Sequence, residues 1–488
     1  MTMTKIFIPV LVGALLLGAP ACTDLTSPNF NFGDLDDLVN NPTPASVNTA
    51  VIGVLLGNRT YYPGPNDFVS MLGILGRESY NNDIADPRFE TEMLGSPLNA
   101  GSPAFGGNFW QEPYENFRLG QITLGGVAQL SDADYPPSAK EWTRGFVKTI
   151  NALDFLMIVN TRDTNCGCPI ELPELVDEPA PQVSKEQVFA KIVQLLDEGA
   201  AHLQATSGAA PFALPSGFDG IPGTGLAFFN DAENLRTFNR GIRARVAVYM
   251  GDYSTALQAL TASFLDTSAP LEVGVYHVFS QGSGDLLNLL FDPGSNRLKL
   301  HPSIKADVEL KADGTPDDRF TSKVRVLANV PYASPPICAG VPESTPQWPP
   351  DTRFKDIIPS QSWANQACDV GFTIYNSITA PIPIMRNEEL ILLRAEANIG
   401  LGNLAAAEND INLVRVNSGG LEPVVLTAAN ALDRLLYEKQ FSLLMEGGHR
   451  WIDLRRYGLL GTLPLDKPGH IHNARYPIPQ DEANARGN

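Results

Sequence analysis

The sequence predicts a mainly α-helical fold of tetratricopeptide-like helix pairs, with long loop insertions and a few short β-hairpins. Apolar residues recur at helical spacing along much of the chain, as Phe146, Ile150, Leu153 and Met157 do on one face. Long stretches rich in glycine and proline separate these helices. With 488 residues, of which 43% are hydrophobic and 18% charged, the chain can build one large core or two to three closely packed domains.

Local signals place individual helices. Ser184 and Gln187 form a capping box, which predicts a helix that begins there and carries Val188, Ile192 and Leu195 along one stripe. The same periodicity predicts four further helices, at 242–250, 388–399, 404–416 and 432–445.

Two of these helices end in the same way. Gly251 and Gly402 each supply the left-handed conformation that stops a helix. Ala256 and Ala407 follow in the next helix, where a small side chain lets two helices approach closely. This pattern is the turn and contact half of a tetratricopeptide unit. The two copies are far apart, so insertions separate the predicted units.

The acidic composition limits the classes of partner. The formal net charge is −19, whereas binding to nucleic acid needs clustered cations that displace counterions from phosphates. Adhesion to an anionic membrane through a basic face is disfavoured for the same reason. An uncharged or cationic ligand fits better, and sugars are the commonest uncharged class.

The N-terminus predicts export. Lys5 is the only charge before an apolar run at 6–17, which is too short to span a bilayer and leads through small residues to Cys22. Two cleavage sites are compatible with it: Ala19 and Ala21 suit the ordinary signal peptidase, whereas Cys22 suits lipoprotein processing, in which the thiol is acylated. We expect Cys22 to be the lipid attachment site. A polar tether at 23–44 follows, and no later segment has the ~20 consecutive apolar residues of a transmembrane helix.

Four further cysteines permit two disulfides with three possible connectivities. A bond between Cys338 and Cys368 would close a proline-rich loop and is the preferred pairing. Cys166 and Cys168 then bond to each other or meet the other two. Neither pair has the spacing of a zinc knuckle, so structural disulfides are expected and no metal site.

Three long insertions, at 61–109, 207–225 and 330–371, are expected to carry the function. Capture of a sugar needs flat aromatic faces against the C–H face of a pyranose, with amides and carboxylates that fix its hydroxyl groups. Seven loop residues are therefore candidate ligand contacts, although each can instead pack locally: Tyr80, Asn81, Asp83, Phe89, Phe105, Trp348 and Trp363. The tryptophans on predicted helices are expected in the core: Trp110, Trp142 and Trp451.

The C-terminal third carries four blocks in a fixed order. They are 384–397 with its Ala-Glu-Ala, Asn412 with Arg415, 438–456 with its Trp-Ile-Asp-Leu-Arg-Arg run, and 476–479 followed by Glu482 and Asn484. In order and spacing these blocks resemble the SusD/RagB family. Two positions depart from the family pattern, because Gly447-Gly448 adds one residue before Arg450 and Ser442 stands where an acidic residue is common.

The resemblance implies a tetratricopeptide-like scaffold that carries ligand loops. It implies a lipoprotein of the bacterial outer membrane, attached to the membrane only by its lipid anchor. Such a protein acts as a lid on a SusC-like TonB-dependent channel and delivers an oligosaccharide, or in some relatives a peptide, to it. It implies no catalytic activity and no cofactor.

The expected organisation has four parts. Residues 1–21 are the signal peptide and 22–50 the lipid anchor and tether. Residues 51–230 form the N-terminal SusD-like helical region with ligand loops, and 231–488 form the C-terminal RagB/SusD region.

Two chemical alternatives arise from charged clusters. Glu446, His449 and Asp453 could suggest a secreted glycosidase, which needs two carboxyl groups around one bond. The structural alternative is that Glu446 and Asp453 pair with Arg450 or Arg455 to fix a helix end. A second cluster, of Asp313, Asp317 and Asp318, lacks the spacing of a calcium loop and predicts a polar turn.

One alternative function uses the same scaffold. A tetratricopeptide-like protein could hold other envelope proteins and bind no solute. Solute capture predicts aromatic side chains that converge on a concave loop surface, whereas a scaffold predicts an exposed groove between helices.

Overall fold

The computed structural model describes residues 35–81, 83, 85–102, 108–172, 179–291, 298–326 and 370–487. Within these ranges there are sixteen α-helices: α1 (Leu35–Asn40), α2 (Pro44–Arg59), α3 (Phe68–Leu75), α4 (Arg88–Thr91), α5 (Asn108–Gln129), α6 (Pro137–Arg162), α7 (Lys185–Gln204), α8 (Ala232–Met250), α9 (Tyr253–Thr261), α10 (Pro302–Asp307), α11 (Asp318–Lys323), α12 (Asn387–Gly400), α13 (Leu404–Gly419), α14 (Ala431–Ser442), α15 (His449–Arg456) and α16 (Gln480–Ala485). The mainly α-helical fold expected from the sequence is confirmed.

The described ranges also hold eight short strands, which form four antiparallel two-stranded sheets. The pairs are β1 (Ser79–Asn81) with β5 (Leu298–Leu300), β2 (Cys168–Pro169) with β3 (Gln182–Val183), β4 (Gly274–His277) with β8 (Ile382–Arg386), and β6 (Val324–Val326) with β7 (Val370–Phe372). Two of these sheets, β1–β5 and β4–β8, join strands that are far apart in the sequence. They therefore connect distant parts of the chain, which local hairpins cannot do.

The helices pack in succession. From α5 to α9 each helix packs on the next, α12 packs on α8 and α9, and α13 and α14 pack on α12. The predicted tetratricopeptide turns are confirmed: Gly251 (φ 76°) follows α8 and Gly402 (φ 78°) follows α12. Ala256 and Ala407 are fully buried in the helices that come next. The two helix pairs meet at Gly400, where a Cβ atom would lie 2.2 Å from the ring of Tyr253.

The predicted helix boundaries agree with the structure to within about three residues, with two exceptions. The helix predicted at 242–250 is only the C-terminal half of α8, which begins at Ala232. The Ser184 hydroxyl accepts from the Gln187 amide and the Gln187 side chain accepts from the Ser184 amide, so the capping box forms as expected. The helix predicted to reach Met445 ends instead at Ser442. Met445 has φ 56°, a left-handed conformation that cannot continue a helix.

The fold begins earlier than the sequence suggested. Helix α1 lies within the range 22–50 that was expected to be anchor and tether, and α2 begins within it and continues to Arg59. Thr43 and Ser46 form a capping box around Pro44, the first residue of α2. Val47, Val51 and Val54 are fully buried, and their helical spacing was masked by the polar residues around them.

The core consists of four clusters of buried apolar side chains among the described residues. The largest cluster runs through α2 and α5–α9 and includes Trp110 and Trp142, while Trp451 lies in the second. The three helical tryptophans are thus confirmed as core residues. In the described part of the chain, no helix combines the length and apolar character needed to cross a membrane.

Candidate functional site

The family-like segments meet in a ring of buried charges. Glu396 accepts from Lys439 (2.8 Å) and Arg456 (2.7 Å), and Asp453 contacts the same two cations at 2.6 and 2.7 Å. Burial alone would raise the pKa of Glu396, but the two cations lower it to about 2. The charge ring, defined by Glu396, Lys439, Asp453 and Arg456, therefore joins α12, α14 and α15 through four ion pairs.

A second buried cluster surrounds Arg386. Its guanidinium donates to both carboxylate oxygens of Glu446 (2.8 and 2.9 Å), to Glu388 (2.7 Å) and to the Ser442 carbonyl (2.8 Å). Glu388 also accepts from the hydroxyls of Ser418 (2.6 Å) and Ser442 (2.7 Å). Burial opposes ionisation of Glu388, but Arg386 and then Lys323 lower its pKa to about 2. This carboxylate is thus held ionised.

Two cations of α11 complete this cluster. Lys323 donates to the carbonyls of Phe441 (3.0 Å) and Ser442 and lies 3.5 Å from Glu446. Arg319 contacts Asp317 and Glu438 at 2.6 Å each. The Ser442 hydroxyl accepts from Arg319 (3.0 Å) while it donates to Glu388, so it links the two halves of the cluster.

The Arg386 cluster forms the floor of the central cleft, a cavity of about 780 Å³. One wall is the loop at 267–272, which connects α9 to β4, and the others are the C-terminal ends of α11 and α13. Asn387 fastens the loop wall, because its side chain donates to the Asp266 carbonyl (2.7 Å) and accepts from the Asp266 amide (3.0 Å). The volume lies in the range of pockets that hold small organic ligands.

The structure corrects the ion pairs expected from the sequence. Glu446 pairs with Arg386 and Asp453 with Lys439 and Arg456, whereas Arg450 and Arg455 were the expected partners. Arg450 lies 3.4 Å from Asp307, and Arg455 donates to the carbonyls of 160 and 474. The structural role is the expected one, but the partners come from distant parts of the sequence.

The two carboxylates considered for a glycosidase, Glu446 and Asp453, are each bound to buried cations. Glu388 and Glu446 share one guanidinium, and Glu388 is held ionised, whereas a general acid must be protonated. Burial does raise the pKa of Glu78 to about 7, but Glu78 is 1% exposed and does not line the cleft. The carboxylates on the floor of the central cleft thus give the glycosidase alternative no support.

Three of the candidate ligand residues lie in the interior. Tyr80 and Asn81 belong to β1, and Phe89 packs in the second core cluster. The Tyr80 hydroxyl donates to Asp466, which also lies 3.1 Å from the imidazole of His301. These three side chains are covered in this conformation and are not brought to a common surface.

Of the remaining candidates, Asp83 lies among the described residues. Asp83 is half-buried, and its carboxylate accepts from the Ala85 amide at 3.0 Å. Phe105, Trp348 and Trp363 lie outside the described residues, as do Cys22, Cys338 and Cys368. Their roles stay predictions. The central cleft was not predicted from the sequence, although Arg386, Glu388 and Glu446 on its floor belong to the family-like blocks.

The other cysteines and acidic residues have local roles. Cys166 and Cys168 are bonded to each other and buried. Asp317 caps α11 by accepting from the Arg319 amide, Asp313 accepts from Thr315, and Asp318 pairs with Lys311. These three aspartates form a polar turn. Across the described ranges, no group of three or more histidine, cysteine, aspartate or glutamate side chains could hold a metal ion.

Comparisons with known proteins agree with this architecture. A sequence model of the SusD family matches residues 340–487. A solved SusD-like carbohydrate-binding protein from Bacteroides fragilis is similar with a TM-score of 0.65 at 14% identity, over 92% of this chain and 99% of that one. A laminarin-binding SusD-like protein is similar with a TM-score of 0.56 at 14% identity, over 91% and 98%.

A third solved structure, a SusD/RagB family protein from Bacteroides thetaiotaomicron, has a TM-score of 0.59 at 17% identity, over 90% of this chain and 94% of that one. No curated protein sequence gives a significant match. At these identities the solved structures establish the fold, and about nine-tenths of the chain shares it.

Proposed function

We propose that the chain is a member of the SusD/RagB family, whose sequence model matches residues 340–487, and that it captures an oligosaccharide at the outer membrane and delivers it to a SusC-like TonB-dependent channel. The single observation that carries this proposal is the agreement in fold, over nine-tenths of both chains, with a SusD-like carbohydrate-binding protein. A laminarin-binding protein with the same fold points to the same ligand class. A peptide is the second ligand class to be tested.

The electrostatics favour an uncharged ligand. The chain has a formal net charge of −19, which repels anionic solutes. In the central cleft the cations are already paired with internal carboxylates, so an anionic ligand would have to displace one of them. A neutral glycan is not repelled by the net charge and displaces no carboxylate from a buried ion pair. We propose that Trp348, Trp363 and Phe105 supply the aromatic faces for its rings and that Asp83 contacts its hydroxyl groups.

The proposed location depends on the N-terminus. An acyl group on Cys22 would hold the protein at the outer membrane, and the segment before α1 would connect the anchor to the fold. Radiolabelled palmitate incorporation in the bacterial host tests this step. We expect label in the wild-type protein and none in Cys22→Ser; equal labelling of the two would contradict it.

One observation favours the scaffold as a second candidate function. Met250 and Leu401 precede the two tetratricopeptide glycines and are 48% and 46% exposed. Apolar side chains at the turns of neighbouring helix pairs suit a protein partner. The scaffold function predicts envelope partners that Met250→Asp or Leu401→Asp releases, with no measurable solute binding.

Calorimetry of the mature protein against a panel of neutral oligosaccharides and peptides tests the main proposal. We expect at least one glycan to bind. Trp348→Ala and Trp363→Ala should each weaken binding about 2- to 10-fold, which corresponds to a lost aromatic face of ~0.5–1.5 kcal/mol. Phe228→Ala, which removes an exposed aromatic ring elsewhere, is the matched control. Failure of every glycan to bind the wild-type protein would contradict the proposal.

A further inference from the structure

The central cleft has the size of a ligand site but offers no flat surface. None of the described residues that line it is aromatic. Its rim instead carries exposed polar side chains on three separate elements, with Ser268 and Glu272 on the loop wall, Ser322 on α11 and Asn417 on α13. A ligand in this cleft is therefore contacted by hydrogen bonds from its edges, and stacking does not contribute.

The floor of the cleft has little capacity left for an ion. The guanidinium of Arg386 is occupied by Glu388, Glu446 and the Ser442 carbonyl. The Lys323 ammonium, which has three protons to donate, contacts the Phe441 and Ser442 carbonyls and Glu446. An anionic ligand would have to displace a carboxylate from one of these buried pairs, which is costly. The cleft thus disfavours anions and suits a neutral ligand that exchanges hydrogen bonds with the rim.

From this geometry we propose that the central cleft is a second contact site for the captured glycan, which binds hydroxyl groups of its sugar units by hydrogen bonds from the rim. The proposal rests on the proposed function for the class of ligand, but its site is independent of the predicted tryptophan contacts. Glu272 and Asn417 are the principal contacts: a carboxylate accepts from sugar hydroxyls, and an amide both donates and accepts.

Asn417 offers a matched pair of variants. It is exposed on α13, and Asn409 is exposed on the same helix but does not line the cleft. Asn417→Ala removes one polar contact and Asn417→Trp fills the cleft from its rim. The same two substitutions at Asn409 control for changes in α13 itself.

The test is calorimetry with a homologous series of neutral oligosaccharides of increasing length. For the wild-type protein we expect affinity to rise with length as added sugars reach the cleft. Asn417→Ala should weaken binding of the long members about 2- to 10-fold, the range for one lost hydrogen bond. Asn417→Trp should reduce their affinity to that of the short members, and both Asn409 variants should match the wild type.

Two results overturn the proposal, and they differ from each other. If both Asn417 variants bind the long oligosaccharides as the wild type does, the cleft is not a contact site, while the proposed function stands. If the wild-type protein binds no member of the series and no other glycan, the proposed function fails and the ligand assigned to the cleft fails with it. Thermal unfolding must show that Asn417→Trp is as stable as the wild type. If Asn417→Trp unfolds, the titration of Asn417→Ala decides the question.

Discussion

Replacement of Lys439 by methionine should strongly destabilise the protein, because Lys439 makes two of the four ion pairs of the charge ring. Its ammonium contacts Glu396 at 2.8 Å and Asp453 at 2.6 Å. The side chains are 4%, 0% and 1% exposed, respectively, so water cannot replace the lost cation. Methionine fills a similar volume but leaves two buried carboxylates to share Arg456. Breaking a buried pair by removal of one partner costs about 3–5 kcal/mol.

Urea and thermal unfolding at pH 7 measure this loss. For a chain of 488 residues, whose unfolding entropy is about 1 kcal/mol/K near Tm, a cost of that size lowers Tm by about 3–5 °C. Lys311→Met is the matched control, since Lys311 pairs with Asp318 at the surface and its removal should change Tm little. In Lys439→Met with Glu396→Gln the ring is again neutral, so the double variant should lose less than the sum of the two single losses.

The same ring predicts the direction of acid sensitivity. The pKa of Glu396 is about 2 in the folded protein, below the value of a free glutamate. Its contribution to stability is therefore complete above about pH 4.5 and is lost as the pH falls towards 2. If Lys439→Met unfolds like Lys311→Met, or if the double variant loses the full sum, the ring does not stabilise the helices as argued.

Three further outcomes follow from buried contacts. Gly120→Ala should destabilise the protein by about 1–3 kcal/mol in urea unfolding, because its Cβ would lie 2.4 Å from the Asn151 amide oxygen, whereas Gly125→Ala in the same helix meets open space and should stabilise by up to about 1 kcal/mol. Equal effects at the two glycines would contradict this. Burial raises the pKa of Glu78 from 4.5 to about 7, so ionisation of this one group should cost up to about 3 kcal/mol as the pH rises from 4.5 to 8. Glu78→Gln should remove that share and leave the shares of Asp67, Glu112 and Asp154, whose pKa values burial also raises. An equal pH dependence of stability in the wild type and in Glu78→Gln would count against it. Joint replacement of Cys166 and Cys168 by serine should cost only about 1–2 kcal/mol of chain entropy, because the bond closes a very short loop, and a loss above 5 kcal/mol would show a larger role.

The helix pairs could be predicted because their signals are local. A glycine at a helix end and an alanine in the next helix act within one turn, and both copies of this pattern formed as expected. The capping box at Ser184 is equally local. The ion pairs could not be predicted, because Glu446 finds Arg386 only after β8 and the turn after α14 have come together. Sequence spacing instead favoured Arg450, which is near in the chain but not in space.

Tyr80 is a candidate ligand residue whose burial could not be predicted from the local sequence. Its polar neighbours Asn81 and Asp83 suggested an exposed loop. In the fold, Tyr80 pairs with Lys299 across β1 and β5, and its hydroxyl donates to Asp466. Both partners come from distant segments, so its burial depends on tertiary contacts that no local pattern encodes.

Ser442 shows why a departure from the family pattern is tolerated. Its hydroxyl accepts from Arg319 and donates to Glu388 at 2.7 Å. A carboxylate at this position could accept from Arg319 but would face the ionised Glu388 without a proton to share. Serine therefore fits this chain because Glu388 already supplies the negative charge that Arg386 requires.

The buried charges also determine what the surface can bind. Among the described residues, eleven lysine and arginine side chains are buried but only nine of aspartate and glutamate. More positive than negative side chains are therefore buried among the described residues. The remaining residues together carry a formal charge more negative than the −19 of the whole chain. Such a surface repels anionic solutes over a distance set by ionic strength. It does not repel neutral glycans. The buried charges that hold the helices together therefore also disfavour the approach of anionic ligands to the loops and the central cleft.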